Sequence, residues 1–462
     1  MTQEFSIISP ADGSVVATRR YASDAHISSI LEQANVAKKE WQNQSVSTRS
    51  DILHRFISVF SGKSDEISKA ISRQMGRPIR FGPGEVAGVV ERATKMLAVG
   101  KTALTPQYHE TEDTIERYIE REPLGTIFII APWNYPFLTV INSLIPALLA
   151  GNSVIIKHSS YTALCAEILV DCLLEAGLPE GVCQYLHLRG VTAEKLLSAP
   201  EIDGVIFTGS VAIGKRVEAA TAGRFIPVGL ELGGKDAAYV RPDANIAFSA
   251  ENLVEGALFN SGQSCCGIER IYVHSDVYDD FIGLVTHHAE AFRPGLPSLQ
   301  ETLMGPVINR DAAINIQDQL NAALSQGARS LLEDASVSHL PDTDTYLQPQ
   351  FLLDVTHDMA FMQEETFGPN AGIMKVSSDE EAVALMNDSE FGLSASLWSS
   401  DKEASRALAR QVEAGTVFLN RCDYLDPALT WSGQKNSGRG YSLGEYGFLQ
   451  VTRPKSYHLR TI

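Results

Sequence analysis

Cysteine, positive charge and long apolar runs are all scarce in this chain of 462 residues. No two of its six cysteines are spaced as CxxC, so the sequence indicates neither a zinc site nor a disulfide framework, and we predict no metal site. The 38 Lys+Arg against 56 Asp+Glu give a formal charge of -18. This charge disfavours nucleic acid and anionic membranes as partners.

No apolar run reaches the length of about 18 residues that a membrane-spanning helix requires. The first residues, MTQEFSIISPADGSVVATRR, also lack the basic segment and apolar core of a secretory signal. We therefore expect a cytoplasmic protein. The chain is longer than one hydrophobic core usually serves, so we expect two or three domains.

Helical spacing of apolar residues dominates the N-terminal part, as in DAHISSILEQANVAKKEW and GEVAGVVERATKMLAVG. From GTIFIIAPWN onward, short apolar strands alternate with helical segments. This alternation predicts right-handed βαβ crossovers and a parallel sheet that is buried on both faces. A second series of the same kind runs from KDAAYV to GTVFLN and includes a predicted helix over EASRALARQVEAG.

Two further segments have a different residue pattern. HETEDTIERYIEREPLG alternates charged and apolar residues, which is typical of an exposed ribbon. Near the C-terminus, SGQKNSGRGYSLGEYG indicates a glycine-rich loop, and FLQVTRPKSYHL predicts a terminal strand.

The segment FTGSVAIGKR follows a predicted strand and opens a helix, so its helix N-terminus could face an anion. Gly209, Gly214 and Lys215 have the spacing of a phosphate-binding P-loop, but Arg216 stands where that loop needs a hydroxyl for magnesium. ATP hydrolysis is therefore disfavoured, and a tight turn without a ligand is the alternative. A GxGxxG fingerprint after a first strand is absent, so any nicotinamide site must be built differently.

Two loops at predicted strand ends carry polar side chains suited to carbonyl chemistry. In PWNYP, prolines on both sides fix the backbone around Asn134, whose amide could stabilise an oxyanion, although turn chemistry alone would also place an Asn there. In VGLELGGKD, Glu231 ends an apolar strand, where low polarity raises a carboxyl pKa toward that of a general base. A glutamate that merely pairs at a strand end is the alternative reading.

The segment FNSGQSCCGIER places two adjacent thiols, Cys265 and Cys266, after a turn of small residues. A thiol on such a loop can face a pocket and act as a thiolate nucleophile. A disulfide between neighbours in the chain would be strained, so a structural bridge is the poorer interpretation. A thiol, an amide donor and a carboxylate on strand-end loops together indicate acyl-type chemistry.

Six motifs, in this order, resemble the aldehyde dehydrogenase superfamily along essentially the whole chain. They are PWNYP, FTGSVAIGK, LELGGKD, FNSGQSCC, EETFGP and NSGRGYSLGEYG. The resemblance implies an α/β fold with a Rossmann-type cofactor domain (1–105 and 124–235) and an α/β catalytic domain (236–435). It also implies a small β oligomerisation ribbon with the C-terminal segment (106–123 and 436–462), and hence a homodimer or homotetramer.

The resemblance also implies an NAD(P)-dependent, non-acylating mechanism. Cys265 would attack the aldehyde carbon, with Asn134 holding the oxyanion; hydride transfer would leave a thioester, and Glu231 would activate the water that hydrolyses it. CoA-acylating relatives characteristically lack this glutamate. A CoA-acylating enzyme and a semialdehyde-specific member remain the alternatives.

The cofactor is expected to be NAD or NADP. The resemblance implies that residues from several of these motifs and from the strands between them bind it. They are Ile130, Trp133, Lys157, Ser160, Gly190, Gly209, Ser210, Gly214, Leu232, Glu365 and Phe367. Members strict for NAD often carry an acid where Ser160 stands, because a carboxylate repels a 2'-phosphate. Our hypothesis is that NADP is tolerated, and the preference between the two cofactors stays open.

The resemblance further implies a tunnel through which the aldehyde substrate would enter. The tunnel residues implied are Tyr135, Leu138, Asn142, Ser264, Cys266 and Tyr424. The segment TWSG (430–433) differs from the family's commoner version, and Asn142 replaces a frequent large aromatic. Arg421 could grip a semialdehyde carboxylate, and Asp423 or Asp426 could attract an amino-aldehyde, or all three could be solvated loop charges. A medium-chain or aromatic aldehyde is the default expectation.

Overall fold

The computed structural model describes residues 3–110, 114–333 and 337–462. The helices are α1 (Asp24–Gln42), α2 (Val46–Gly62), α3 (Ser64–Met75), α4 (Gly82–Ala103), α5 (Leu138–Ala150), α6 (Leu164–Glu175), α7 (Gly190–Leu196), α8 (Val211–Thr221), α9 (Ile246–Leu258), α10 (Tyr278–Ala289), α11 (Arg310–Ser325), α12 (Ala360–Gln363), α13 (Asp379–Asn387), α14 (Lys402–Ala409) and α15 (Gly447–Gln450).

The strands are β1 (Glu4–Ile8), β2 (Val15–Arg20), β3 (Gln107–Tyr108), β4 (Ile115–Pro123), β5 (Thr126–Ile130), β6 (Ser153–Lys157), β7 (Cys183–Tyr185), β8 (Gly204–Thr208), β9 (Val228–Glu231), β10 (Asp236–Val240), β11 (Ile268–His274), β12 (Arg329–Ser330), β13 (Gln350–Leu353), β14 (Asn370–Val376), β15 (Phe391–Gly392), β16 (Ser394–Trp398), β17 (Thr416–Leu419), β18 (Gln434–Lys435), β19 (Gly438–Arg439) and β20 (Thr452–Arg460). Most of them belong to three sheets, two of which are large.

The first large sheet has the order β19-β9-β8-β5-β6-β7, and only β19 runs antiparallel to its neighbour. Ile130 is level with both Lys157 and Phe207, and Thr208 is level with Glu231. The carboxyl ends of four parallel strands therefore meet at one edge of the sheet. In open α/β sheets, this edge is where ligands bind.

The second large sheet has the order β12-β13-β14-β11-β10-β16-β17 and is parallel except for β12. The predicted alternation of strands and helices in two series is thus confirmed as two mainly parallel sheets. Strand β10 is buried at every position, as a strand covered on both faces should be.

The third sheet is an antiparallel ribbon with the order β20-β4-β3. Strands β4 and β20 pair over their full length, from Thr452 opposite Pro123 to Arg460 opposite Ile115. The rings of Tyr118 and Tyr457 stack across the ribbon at 4.5 Å. The predicted ribbon HETEDTIERYIEREPLG is a strand from residue 115 onward, while residues 111–113 lie outside the described part of the chain.

Three local expectations were confirmed only in part. The helix predicted over EASRALARQVEAG ends at Ala409, because the chain must turn before β17 starts. The start of the predicted terminal strand is instead α15, and the strand begins at Thr452. The predicted glycine-rich loop contains the short strands β18 and β19, since tertiary pairing overrides weak local propensity.

Helix α5 has no sequence-based prediction, and its composition explains why. Eleven of its residues, Val140–Ala150 in sequence, are buried, so the helix is apolar all round and shows no amphipathic period. It packs against α4 and places Asn142 next to that helix. Within the described residues, no helix is long and apolar enough to cross a membrane.

Candidate active site

The loop after β5 presents Asn134, whose side chain is 5% exposed. Its backbone oxygen accepts hydrogen bonds from the Arg77 guanidinium and, at 3.2 Å, from the Asn260 amide. Next to it, His158 bonds the Pro136 oxygen at 2.8 Å, and burial lowers the pKa of this histidine to about 4. With its backbone fixed, Asn134 directs its Nδ2 to the Gln263 oxygen at 3.2 Å, two residues before Cys265.

The loop that carries Cys265 follows a 3-10 turn, Phe259–Gly262, with a left-handed backbone. Asn260 and Ser261 have φ values of 53° and 59°, and Gly262 has 68°. A Cβ at Gly262 would lie 1.9 Å from the Gly368 oxygen, so only glycine fits there. This closely packed turn leaves Cys265 partly exposed at its exit.

The two adjacent thiols have different surroundings. Cys266 is 2% exposed, and its Sγ lies 3.1 Å from Asp423 Oδ1, which also accepts a hydrogen bond from Ser264 at 2.8 Å. A hydrogen bond with Cys265, burial and the Asp423 charge all hold the pKa of Cys266 well above its usual range. Cys266 is therefore a neutral thiol near neutral pH.

Glu231 ends β9, and both of its carboxylate oxygens accept hydroxyl hydrogen bonds. Thr208 donates to Oε2 at 3.0 Å, and Ser442 donates to Oε1. Burial raises the pKa of Glu231, while these two hydrogen bonds and the Arg92 charge act in the opposite direction. Ser442 reaches the site because β19 pairs Gly438 with Glu231.

Two glycines after β9 connect this carboxylate to the thiol loop. A Cβ at Gly234 would lie 2.4 Å from the Cys265 oxygen, and one at Gly233 would lie 2.3 Å from Glu365 Oε2. The Gly234 amide donates to Glu365 Oε1 at 3.0 Å. Burial, followed by the neighbouring Glu269 charge, raises the pKa of Glu365 to about 8. The absence of side chains thus lets three loops meet.

The other predicted cofactor residues lie along the carboxyl edge of the first sheet. Ile130 and Lys157 end adjacent strands, and burial lowers the pKa of Lys157. Ser160 is exposed just beyond β6. Trp133 contacts Phe367 edge to face at 5.6 Å. The carboxyl edge of an open α/β sheet is a suitable place for a dinucleotide.

Several of these positions need a small residue or a helix start. Gly209 and Ser210 lead from β8 into α8, and Gly190 begins α7. A Cβ at Gly214 would lie 2.5 Å from Leu232 Cδ2, so glycine lets α8 pack closely on the segment after β9. The Gly209 amide itself is engaged by the Glu231 backbone oxygen at 3.0 Å, so an anion at this turn would meet the following amides of α8.

The predicted tunnel residues and the nearby loop charges have distinct environments. The Arg77 guanidinium lies 4.5 Å from the Tyr135 ring centre, and the Tyr424 hydroxyl bonds Glu91 at 3.3 Å. The Arg421 guanidinium lies 3.5 Å over the Tyr424 ring. Asp426 accepts from the Ala428 amide at 2.8 Å. Asp423, by contrast, reaches the thiol loop.

The divergent segment TWSG also has a structural role beside the site. Trp431 is buried, and its backbone amide and oxygen both bond those of Ser442, at 2.8 and 3.0 Å. This isolated bridge fixes the chain on either side of Ser442. The segment thus supports the hydroxyl that contacts Glu231.

Sequence reasoning missed three charged residues, Arg77, Glu85 and Arg92, from the N-terminal part of the chain. Buried Arg77 pairs with Glu85, and Glu85 Oε1 accepts from the Phe137 amide at 2.9 Å. Arg92 of α4 donates through Nη1 to the Leu138 oxygen at 3.1 Å and to Asn142 Oδ1 at 3.0 Å. A charge amid the apolar pattern of VVERATKM was the one available signal, since no motif contains these residues.

Comparison with known proteins gives a consistent result. A model of the aldehyde dehydrogenase family matches residues 1–457. A protein of Paenarthrobacter nicotinovorans named aldehyde dehydrogenase is 34% identical over 97% of this chain and 98% of its own. A protein of Deinococcus radiodurans named succinate-semialdehyde dehydrogenase (NADP(+)) is 32% identical over 98% of this chain and 94% of its own.

Solved structures agree with this result. The crystal structure of a succinic semialdehyde dehydrogenase from Streptococcus pyogenes in complex with NADP+ superposes with a TM-score of 0.94. It is 27% identical, and the match covers 99% of this chain and 100% of that one.

Proposed function

Since the chain belongs to the aldehyde dehydrogenase family, we propose that it oxidises an aldehyde to the carboxylic acid with NAD or NADP, using Cys265 as the nucleophile. The observation that carries this assignment is the meeting of three loops. Gly234 lies against the Cys265 oxygen, Asn134 bonds the residue two before the thiol, and Glu231 lies two residues before Gly233.

In the first step, the Cys265 sulfur bonds the aldehyde carbon and the carbonyl π electrons move to oxygen, giving a thiohemiacetal. The Asn134 amide and the Cys265 backbone amide are the proposed donors to that oxyanion. Cys266 does not compete as a nucleophile because its neighbours keep it protonated. The choice between the two thiols thus follows from their environments.

Bound NAD or NADP supplies a hydride acceptor, and loss of hydride from the thiohemiacetal leaves a thioester on Cys265. Glu231 then removes a proton from water, the water oxygen bonds the acyl carbon, and the C–S bond breaks to release the acid and the thiolate. A buried carboxylate with a raised pKa is well matched to this role. Thr208 and Ser442 orient it through hydrogen bonds.

For the cofactor, we propose that Lys157 and Ser160 bind the adenosine ribose. The nicotinamide ribose would lie between Glu365 and Phe367. The diphosphate and the adenine would lie along Gly190, Gly209, Ser210, Gly214 and Leu232. Ser160 offers no carboxylate to repel a 2'-phosphate, so NADP should be accepted as well as NAD. Measuring kcat/KM with both cofactors tests this expectation. A preference of about a hundredfold for NAD would contradict it.

We also propose a homodimer or homotetramer. Strand β20 is an outer strand of the ribbon, and an exposed strand edge of this length is suited to pairing with another copy. Light scattering at micromolar concentration is the test, and a monomer there would contradict the proposal. The domain division at residues 105, 123, 235 and 435 stays a prediction of the same kind.

The reaction itself is tested with a panel of aldehydes and both cofactors, read by the absorbance of the reduced nicotinamide. Turnover without coenzyme A is expected, because Glu231 is present to activate water. A strict requirement for coenzyme A would reject hydrolysis to the free acid. No oxidation of any aldehyde would reject the assignment as a whole.

A further inference from the structure

Arg92 is a partly buried arginine without an ion-pair partner among the described residues. Only its Nη1 has protein acceptors there, the Leu138 oxygen at 3.1 Å and Asn142 Oδ1 at 3.0 Å. The Nε and Nη2 groups make no hydrogen bond to the described protein. A guanidinium forms a planar fork that matches a carboxylate, so one edge of this fork is available to a ligand.

The acids around Arg92 are engaged elsewhere. Glu231 is held by Thr208 and Ser442. Glu85 pairs with Arg77 and accepts from the amides of helix α5, and exposed Glu91 bonds Tyr424. Arg92 therefore carries a positive charge that no neighbouring carboxylate neutralises by direct contact within the described chain.

Asn142 adds a second donor at the same place. Its side chain is 1% exposed, its Oδ1 accepts from Arg92, and its Nδ2 has no hydrogen-bond partner in the described part of the chain. Burying an amide N–H without a partner costs free energy, because its hydrogen bonds to water are lost and no protein hydrogen bond replaces them. Since Arg92 fixes which amide atom faces it, the free atom is the donor.

These two donors are connected to the loop of Asn134, because Leu138, whose oxygen accepts from Arg92, begins the helix that follows this loop. Leu138, which accepts from Arg92, belongs to the predicted tunnel, and a Cβ at Gly88 of α4 would lie 2.8 Å from the Leu138 side chain. The Arg92 charge acts on both Cys266 and Glu231. A ligand held at Cys265 could thus extend a second group to Arg92 and Asn142.

We propose that Arg92 and Asn142 bind a carboxylate at the end of the substrate opposite its aldehyde, so that the preferred substrates are ω-oxo carboxylic acids. This inference rests on the proposed aldehyde oxidation and deepens it. The carboxylate would accept from the free edge of the guanidinium and from Asn142 Nδ2, satisfying both. The loop arginine Arg421, which packs on Tyr424, is not part of this receptor.

The first experiment compares aldehydes of equal length with and without the carboxylate, using the wild-type enzyme and its cofactor. The pairs are succinate semialdehyde with butanal and glutarate semialdehyde with pentanal. We expect kcat/KM to be about 100-fold higher for at least one acid than for its alkanal. Oxidation of alkanals with equal or better efficiency would overturn the receptor and leave the proposed aldehyde dehydrogenase activity intact. No oxidation of any aldehyde would instead reject the function.

The second experiment removes the charge with Arg92→Met. We expect kcat/KM for the preferred semialdehyde to fall about 100-fold, mostly through KM, while that for the alkanal changes less than about threefold. Arg92→Lys should recover part of the loss, because it keeps the charge without the fork. An equal loss on both substrates would show a structural role only and overturn the proposal.

A matched control is Arg224→Met. Arg224 is also partly buried and also bonds two backbone oxygens, those of Leu197 and Ile202, at 2.8 and 2.6 Å, outside the site. It should leave the substrate ratio unchanged. If Arg92→Met does not fold, inhibition of the wild-type and Asn142→Ala enzymes by butanoate and by butan-1-ol decides. Butanoate should inhibit the wild type more strongly than the alcohol and lose about tenfold in Asn142→Ala, and equal inhibition by both compounds would contradict the receptor.

Discussion

The two ends of the proposed substrate tunnel come from different parts of the chain. At the reacting end, Asn134 stands on the loop after β5, Glu231 is the last residue of β9, and Cys265 stands on the loop before β11. Backbone contacts hold these segments together. At the far end, Arg92 and Asn142 face each other from helices α4 and α5. The segments at strand ends carry the proposed catalytic groups, and the two helices carry the groups proposed to select the substrate. Variants at the two ends should therefore fail in different ways.

The largest effect is expected from Cys265→Ser. A hydroxyl ionises far less readily than a thiol, so oxidation of every aldehyde should fall by about 10⁴-fold or more, whatever its far-end group. Initial rates with an alkanal and a semialdehyde measure this. Cys266→Ser is the matched control, since a serine there can still donate to Asp423. If Cys265→Ser retained activity and Cys266→Ser lost it, the nucleophile would be Cys266 and not Cys265.

Glu231→Gln should separate the two halves of the reaction. The amide cannot take a proton from water, so steady turnover should slow by about 10²- to 10⁴-fold while the first hydride transfer persists. The expected result is a burst of reduced cofactor near one equivalent per site, with the acyl group trapped on the protein and visible by mass spectrometry. An unchanged steady rate would remove Glu231 from the hydrolytic step.

Ser442→Ala should shift a pH profile instead of abolishing activity. Burial raises the pKa of Glu231 and the Ser442 hydrogen bond lowers it, so loss of this bond raises the pKa further. The base is active when deprotonated, so the acidic limb of kcat should move up by about one pH unit, and activity should recover at higher pH. A uniform loss at every pH would indicate damage to the loop, with Trp431→Phe as a control for packing.

The smallest effect is expected from Asp423→Asn. An amide still accepts from Ser264 and Cys266, but it removes a negative charge that disfavours a second carboxylate in the tunnel. The KM for a semialdehyde should decrease about threefold, and that for the matching alkanal should not change. Equal changes for both substrates would mean that Asp423 acts on the thiols and not on the far end.

The same contrast explains what could be predicted from the sequence. Asn134 and Glu231 lie at the carboxyl ends of β5 and β9, which the parallel sheet brings to one edge, and Cys265 follows a glycine-containing turn before β11. The placement of those motifs, and the two parallel sheets, therefore followed from local patterns. Arg92 and Asn142 lie within continuous helices, and α5 is buried all round, so neither period nor spacing marks the position where they meet.

Ser442 and Asp423 show a second reason. Each is brought to the site by a long-range pairing, β19 with β9 for Ser442 and the Ser264 contact for Asp423. A glycine-rich segment indicates a loop but not the strand on which it will dock. The charges of the 421–426 segment were recognisable as candidates, yet only the structure separates Asp423 at the thiols from Arg421 on a tyrosine ring.

The C-terminal segment passes in order through β19, Ser442, α15 and β20. Helix α15 alone separates the Ser442 hydroxyl, which orients Glu231, from Thr452, where the outer ribbon strand β20 begins. A second subunit that pairs with β20 would stabilise the position of Ser442 and thereby support hydrolysis of the thioester. Dissociation into single subunits on dilution should therefore slow thioester hydrolysis more than hydride transfer.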